Sequence, residues 1–555
     1  MIASLLFALS YRRFLAACRN PLVAQAERLQ RILRQAADTD IGRQHDFTGL
    51  SLEGDPVRLI QQFQARVPVR THREMRSDLD AVYAGDWNRL CPSRPVFFSM
   101  TAGSTGRFKY VPVTAELRRE IRAASLVFYG AIEQACPALR GLRSQFLVGS
   151  GEGGMSPGGV PQGFASGFNY QNLPGILRDK FVLPYWIFTL PDAEDRSYAA
   201  GRILAGDRRL GSLSAISPVN LINLRQSLER NADLLFADIA AGTLTLRGKP
   251  AVAGAFLTRP DPVLASSLEQ SWRKNGTLPH ALLFPSLQLL VCWQGGNMSY
   301  YLPELDTCFE GARHFEFPIS ASEGVFAIPH RVDRAGGILA VTSHFLEFLP
   351  DDPGTAPSPA LRADQLREGR QYRIVLTNSG GLYRYDMEDI IRVRGFYRRT
   401  PIIEFVCRAD RQVSVANERV TELDVTIAMQ ATSQRRGAWF PEFLFVPCSD
   451  RRYRVLVDGE ASAAFAGPPD SDPVRAFAID LDRQLRVASR GYDFERDDAL
   501  LEPLEVVLTA PGELRDYLRQ RIGDQRLPNA QLKPIHLTNQ FDLHTSFSRL
   551  AIHAA

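Results

Sequence analysis

The sequence predicts an α/β fold, with one large domain of β-sheets flanked by helices and a smaller α+β domain after it. Three observations predict it. At 555 residues the chain exceeds what a single hydrophobic core organises. Segments with helical apolar spacing alternate with short apolar runs as far as about residue 300. The run Leu287–Trp293 reads as a buried strand that ends at Gly295-Gly296. Loops leaving the edge of an open α/β sheet at such points are where these folds bind ligands.

Composition narrows the class. With 45% hydrophobic and 23% charged residues the chain is an ordinary globular one, and a net charge of +4 over this length is weak and does not point to a binder of nucleic acid or of membrane surfaces. The seven cysteines contain no C-x-x-C pair and the nine histidines no metal-ligand spacing. The apolar start, Met1 to Leu9, lacks a basic residue ahead of it, and no apolar run reaches membrane-spanning length. A cytoplasmic monomer is the expectation. Among 65 basic residues five are lysine: Lys109, Lys180, Lys249, Lys274 and Lys533. A compact ammonium in so arginine-rich a chain marks a position that needs one.

In chain order, residues 1 to about 45 read as helix through Leu22, Ala26, Leu29, Ile32 and Leu33. Pro95–Phe98 and Tyr110–Val113 read as short strands. Thr114 caps a helix with Glu116 in its first turn, continuing through Leu117, Ile121, Leu126 and Phe128. Gly151–Gly167 reads as a long glycine-rich loop, and Asp351–Pro359 as an exposed linker.

Between the two strands runs Ser99-Met100-Thr101-Ala102-Gly103-Ser104-Thr105-Gly106-Arg107-Phe108-Lys109. Glycines let the backbone approach a ligand closely, while hydroxyls and backbone N–H groups can surround a phosphate. The loop leads into a strand and not a helix, so it is not a Walker loop. Taken alone it also reads as a surface turn. Four further signals follow. Phe317–Gly324 brings Glu323 to a tight turn as a hard oxygen ligand or a solvated acid. Gly381–Val393 places Asp389 before a β-branched strand. Phe405–Val413 sets Arg408, Asp410 and Arg411 between two apolar runs, as a hinge would. Gln531-Leu532-Lys533-Pro534 carries the last lysine.

The order T-A-G-S-T-G-x-x-K resembles the phosphate loop of adenylate-forming enzymes. More narrowly, the chain resembles the GH3 acyl-acid amido synthetases over almost its whole length. The likeness lies in Asn20-Pro21 with Gln25, Gly42–Phe47, Val67–Thr71, the phosphate loop, Ser322-Glu323-Gly324, Phe345–Pro350, Gly381–Tyr385, Val393–Phe396, Phe405–Arg408, Tyr492 with Arg496, Pro503–Glu505 and Gln531–Lys533.

That resemblance implies an N-terminal adenylate-forming domain over residues 1–409 and a mobile α+β lid over 410–555. It implies ATP and Mg²⁺, a carboxylic acid and an amine as substrates, and no nucleic-acid or membrane partner. Ser99, Thr101, Ala102, Gly103, Ser104, Thr105, Gly106 and Lys109 would surround the phosphates. Gly295, Gly296, Ser322, Asp389 and Arg408 would hold adenine and ribose, Glu323 the metal, and Ser125 and Phe128 the acyl group. Asp410 would be the hinge, and Lys533 would stabilise charge during adenylation. The chain departs from the family in four places. Its loop is one residue shorter than the plant form, Ile319 stands for an aromatic residue, Glu388 for a glycine, and Thr-Pro-Arg is missing after Lys533. An acyl-CoA ligase, or a non-catalytic protein that binds a small acid or nucleotide on this fold, are the alternative readings.

Overall fold

The computed structural model describes residues 2–50, 55–102, 108–173, 175–247, 249–250, 259–351, 359–459, 472–523 and 534–554. The helical spacing of the first residues becomes α1 (Ile2–Ala17) and α2 (Pro21–Ala36). Pro21 opens α2, where its missing N–H would have had no helical partner. Gln25 lies on the buried face of α2 and acts as a clamp. Its Nε2 donates to the carbonyls of Val341 (2.8 Å) and His344 (2.7 Å), and its Oε1 accepts from Leu346 N (2.7 Å).

The two expected strands form and pair. β1 (Phe97–Ala102) pairs antiparallel with β2 (Phe108–Val113), bringing Thr101 opposite Lys109 and Ser99 opposite Val111. Helix α3 (Ala115–Ala135) follows at once. Thr114 Oγ1 accepts from Leu117 N (3.1 Å) and donates to Ser379 O (2.7 Å), so one hydroxyl caps the helix and ties it to a distant loop. The buried stripe Leu117, Glu120, Ala124, Val127, Phe128 and Ala131 has helical spacing. Where α1 crosses α3, a Cβ on Gly130 would stand 2.4 Å from Phe7 O, so only glycine permits this approach.

Four parallel strands, in the order 143–146, 210–214, 289–292 and 313–316, form the α/β part. The expected strand near Leu287–Trp293 is β3 (Leu289–Cys292), buried throughout. A seven-stranded sheet follows, antiparallel at every described pairing. It includes the hairpin β4 (Ile319–Ala321) and β5 (Gly324–Ile328), with Ser322-Glu323 as its turn, and the long pair β5's sheet-mates β6 (Tyr385–Tyr397) and β7 (Thr400–Arg408). Beyond Arg408 come α4 (Glu422–Arg436) and a four-stranded mixed sheet of residues 443–448, 452–457, 505–509 and 549–554.

One buried cluster joins α1, α2, the β1–β2 hairpin and the seven-stranded sheet. A second joins the parallel sheet and its helices to the inner side of the C-terminal part. Tyr300 and Tyr301, in the turn after β3, make that second junction. Tyr300 stacks on Trp439 at 4.4 Å and donates to Phe440 O (2.7 Å), and Tyr301 Oη lies 3.2 Å from His536 Nε2. Of the expected linker, residues 352–358 lie outside the described residues. No helix among the described residues is long and apolar enough to cross a membrane.

Candidate active site

A cavity of about 1100 Å³ lies between the hairpin, α3, the two sheets and the first residues of the C-terminal part. One end is charged. Asp389 on β6 pairs in register with Arg408 on β7, which sets a carboxylate beside a guanidinium across the ladder. Arg408 also faces Glu388 (Nη2–Oε2, 3.7 Å) and Asp410 (Nε–Oδ1, 3.3 Å). Burial opposes charge on Arg408, but Asp389, Asp410, Glu323 and Glu388 outweigh it and raise its pKa above the ordinary value. Lys109 is the reverse case. Burial, then the nearby Arg408, lower its pKa, and Glu323, Glu388 and Asp410 offset this only in part. The same surroundings act on His72, which burial, Lys109 and Arg76 push down to about 4, so it is neutral at neutral pH.

The Ser322-Glu323 turn brings a carboxylate to the same cavity. Glu323 is nine-tenths buried and lines the cavity, and its backbone carbonyl accepts from Asn378 Nδ2 (2.7 Å). A carboxylate at this place in the lining has the oxygen-donor chemistry that suits Mg²⁺. Behind it, a Cβ on Gly324 would stand 2.6 Å from Nε2 of the fully buried His344. His344 Nδ1 lies 3.0 Å from Glu120 Oε2, and Glu120 Oε1 accepts from Ser379 Oγ (2.6 Å). Burial works against the Glu120 charge, yet His344, Ser379 and Arg28 hold its pKa below the usual value.

The other end of the cavity is apolar. Ile121, Ser125, Phe128, Tyr129 and Ile132 of α3 form its wall, with Phe146 and Phe317 opposite. The same cavity therefore joins buried cations, a buried carboxylate and a largely apolar wall.

Comparison with known proteins matches this geometry to a family. The sequence profile described as the GH3 family N-terminal domain matches residues 10–314, and that of the GH3 family central domain matches residues 337–408. The chain belongs to the GH3 family. Its relatives include the indole-3-acetic acid-amido synthetase GH3.8 of Oryza sativa subsp. indica, 26% identical over 91% of this chain and 88% of that one. Another is the jasmonoyl–L-amino acid synthetase JAR6 of Nicotiana attenuata, 26% identical over 74% and 73% of the two chains. The GH3 fold also matches the solved AtGH3.15 acyl acid amido synthetase in complex with 2,4-DB. That match has a TM-score of 0.81 and 20% identity over 98% of this chain and 96% of that one.

Within the GH3 chain, the structure gathers most of the expected residues at the cavity. Thr101, Lys109, Ser125, Phe128, Gly295, Ser322, Glu323, Asp389, Arg408 and Asp410 all line it. Ser99 and Gly296 stand behind that wall. Ser99 is fully buried, and its hydroxyl donates to Ser322 Oγ (2.8 Å), fixing the turn from behind. Gly296 has φ 60° and packs against Val406 O on β7. Gly103, Ser104, Thr105, Gly106 and Lys533 lie outside the described residues, as do the side-chain surroundings of Ala102. Pro534, which follows Lys533, lines the cavity and accepts from Asn297 Nδ2 (2.9 Å).

Two departures from the family now have a local setting. Ile319 is buried against the cavity. Glu388 holds φ 58°, a left-handed conformation that favours glycine, the residue the resemblance led one to expect there, and its carbonyl accepts from Ala409 N (2.7 Å). No local pattern marked His72, Glu316 or Glu422, which tertiary packing brings to or beside the site. Of these Glu316 lines the cavity nine-tenths buried, and burial pushes its carboxyl up to about 8.

Proposed function

We propose that the protein is an ATP-dependent acyl-acid amido synthetase that activates a carboxylic acid and transfers it to an amine, an amino acid in the most direct reading. The observation that carries this is the continuity of one cavity, from Lys109, Glu323, Asp389 and Arg408 at one end to the apolar wall of α3 at the other. GH3 relatives named as acid–amino acid synthetases support it.

In this reading a carboxylate oxygen attacks the α-phosphorus of ATP, the bond to the pyrophosphate oxygen breaks, and an acyl-adenylate forms. The amine nitrogen then attacks the acyl carbon, the bond to AMP breaks, and the amine proton passes to solvent. Lys109 and the backbone of the β1–β2 loop offset phosphate charge, which is electrostatic catalysis. Asp389 accepts from the ribose hydroxyls, with Arg408 holding it in place. Glu323 would hold Mg²⁺, which when bound neutralises phosphate charge. Residues 1–409 form the adenylating domain and 410–555 the lid, which turns about Asp410 between the two half-reactions and carries Lys533.

The test is pyrophosphate release from ATP and Mg²⁺ across a panel of carboxylic acids, with and without amino acids. Acid-dependent release that rises with amino acids is the expected result. Lys109→Met should lower kcat/KM by about 10²–10³-fold, and Lys533→Ala should abolish release. Stimulation by a thiol such as coenzyme A and not by amines would move the protein to the acyl-CoA ligases. Nucleotide binding without release from any acid would overturn catalysis.

A further inference from the structure

The wall of the cavity beyond Phe128 and Tyr129 carries one ion pair. Lys180 Nζ and Glu133 Oε1 form an ion pair at 3.0 Å, both residues lining the cavity beside Phe7 of α1. Ser4 Oγ also donates to Glu133 Oε1 (2.9 Å), and Nζ sits 5.2 Å over the Phe7 ring. Lys180 is one of five lysines in a chain that otherwise uses arginine.

Its place relative to the chemistry follows from α3. Glu120, in the N-terminal part of that helix, joins His344 and so the Gly324 side of the Glu323 turn. Glu133 lies eight residues beyond Ser125, about 12 Å further along the helix axis at 1.5 Å per residue. The ion pair is therefore far from the Glu323 end, past the aromatic stretch of Phe128 and Tyr129.

The donor count gives it a direction. An ammonium carries three N–H donors, and Glu133 is the one hydrogen-bond acceptor that Lys180 Nζ finds among the described residues. Its side chain is 28% exposed and that of Glu133 10%, and both residues line the cavity. A plain alkyl chain laid against this pair would strip its water and return nothing, a cost that falls on binding. A ligand oxygen would take the remaining donors. The pair is neutral in sum, so it selects an uncharged acceptor over a second carboxylate.

We infer that the acid substrate is elongated, with an apolar body and a neutral oxygen function, a hydroxyl or ketone, at the end remote from its carboxylate, received by Lys180 and Glu133. This rests on the ligase reading above, whose carboxylate end it extends.

The experiment compares medium-chain alkanoic acids with their terminal hydroxy and keto counterparts and with the matching diacids. Pyrophosphate release gives kcat/KM for each, and calorimetry without ATP gives direct binding. A hydrogen bond to a charged group should favour the oxygenated acid about ten- to a hundredfold over the alkyl acid of equal length. In Lys180→Met that ratio should fall to near one, while Lys180→Arg, which keeps the donors, should retain part of it. Thermal unfolding of each variant separates misfolding from lost selectivity, because the ratio is read within one variant. A wild-type preference for plain alkyl acids or diacids, or a ratio unmoved by Lys180→Met, would overturn the inference. If no acid supports release, the ligase reading fails, and the binding ratios still decide whether this subsite exists.

Discussion

Gly324→Ala tests how the Ser322-Glu323 turn, proposed to hold Mg²⁺, is held. The new Cβ would lie 2.6 Å from His344 Nε2 and 2.7 Å from its Cδ2. The ring is fully buried and held through Nδ1 by Glu120, so it has no easy retreat. Overpacking of this kind costs about 1–3 kcal/mol. Part of the strain should instead displace the Ser322-Glu323 turn, where a shift of about 1 Å is worth about 10²-fold in rate. Thermal unfolding and a Mg²⁺ titration of pyrophosphate release read both effects. The expected result is a lower unfolding temperature, a lower kcat and a higher Mg²⁺ requirement. His344→Ala alone loses a hydrogen bond to a charged group, about 1.5–3 kcal/mol, but makes room for the methyl. The double variant should therefore be more stable than the sum of the single changes by about 0.5–3 kcal/mol. Wild-type stability and Mg²⁺ dependence in Gly324→Ala would refute the account of this turn.

Other outcomes follow from single contacts. Glu388→Gly relieves a left-handed residue worth about 1–2 kcal/mol and removes the carboxylate 3.7 Å from Arg408. Equilibrium unfolding should show no loss of stability, and the KM for ATP should not rise. Arg384→Met strands the fully buried Glu347, to which Arg384 Nε donates at 3.0 Å. Urea unfolding should show a loss of about 3–5 kcal/mol. His536 is buried against Phe443, and burial pushes its pKa down to about 3, so the folded state leaves it neutral where an unfolded histidine takes a proton. Stability should therefore fall as pH drops below about 6.5, by up to about 1.4 kcal/mol per pH unit for this group. Denaturant melts from pH 7 to 4.5 should show that slope reduced in His536→Phe.

What the sequence revealed and what it hid divide along physical lines. The α1 and α2 helices, the Thr114 cap, the β1–β2 hairpin and the Ser322-Glu323 turn were all legible, because spacing, capping and turn chemistry act within a few residues. Lys109, Glu323, Asp389 and Arg408 could be picked out by type and order, and the fold brings them to one cavity. The role of Ser99 could not be read, since its hydroxyl turns to Ser322 across the fold. His344 behind Gly324 and Lys180 beside Glu133 are meetings of segments remote in sequence, and no local pattern announces them. Glu388 was visible as a departure, but its left-handed backbone was not.

The cavity has a consequence for biosynthesis. Its wall includes Phe7 at one end and Pro534 at the other. At about 5–20 residues per second the ribosome makes these two points on the order of half a minute to two minutes apart. Throughout that interval the nascent chain can bury α1 against α3 and assemble both central sheets, while the cavity still lacks the part of its wall that Pro534 forms. Pro534, Ile535 and Gln540 complete the cavity wall only at the end of that interval, so full enclosure of a ligand is withheld from the growing chain.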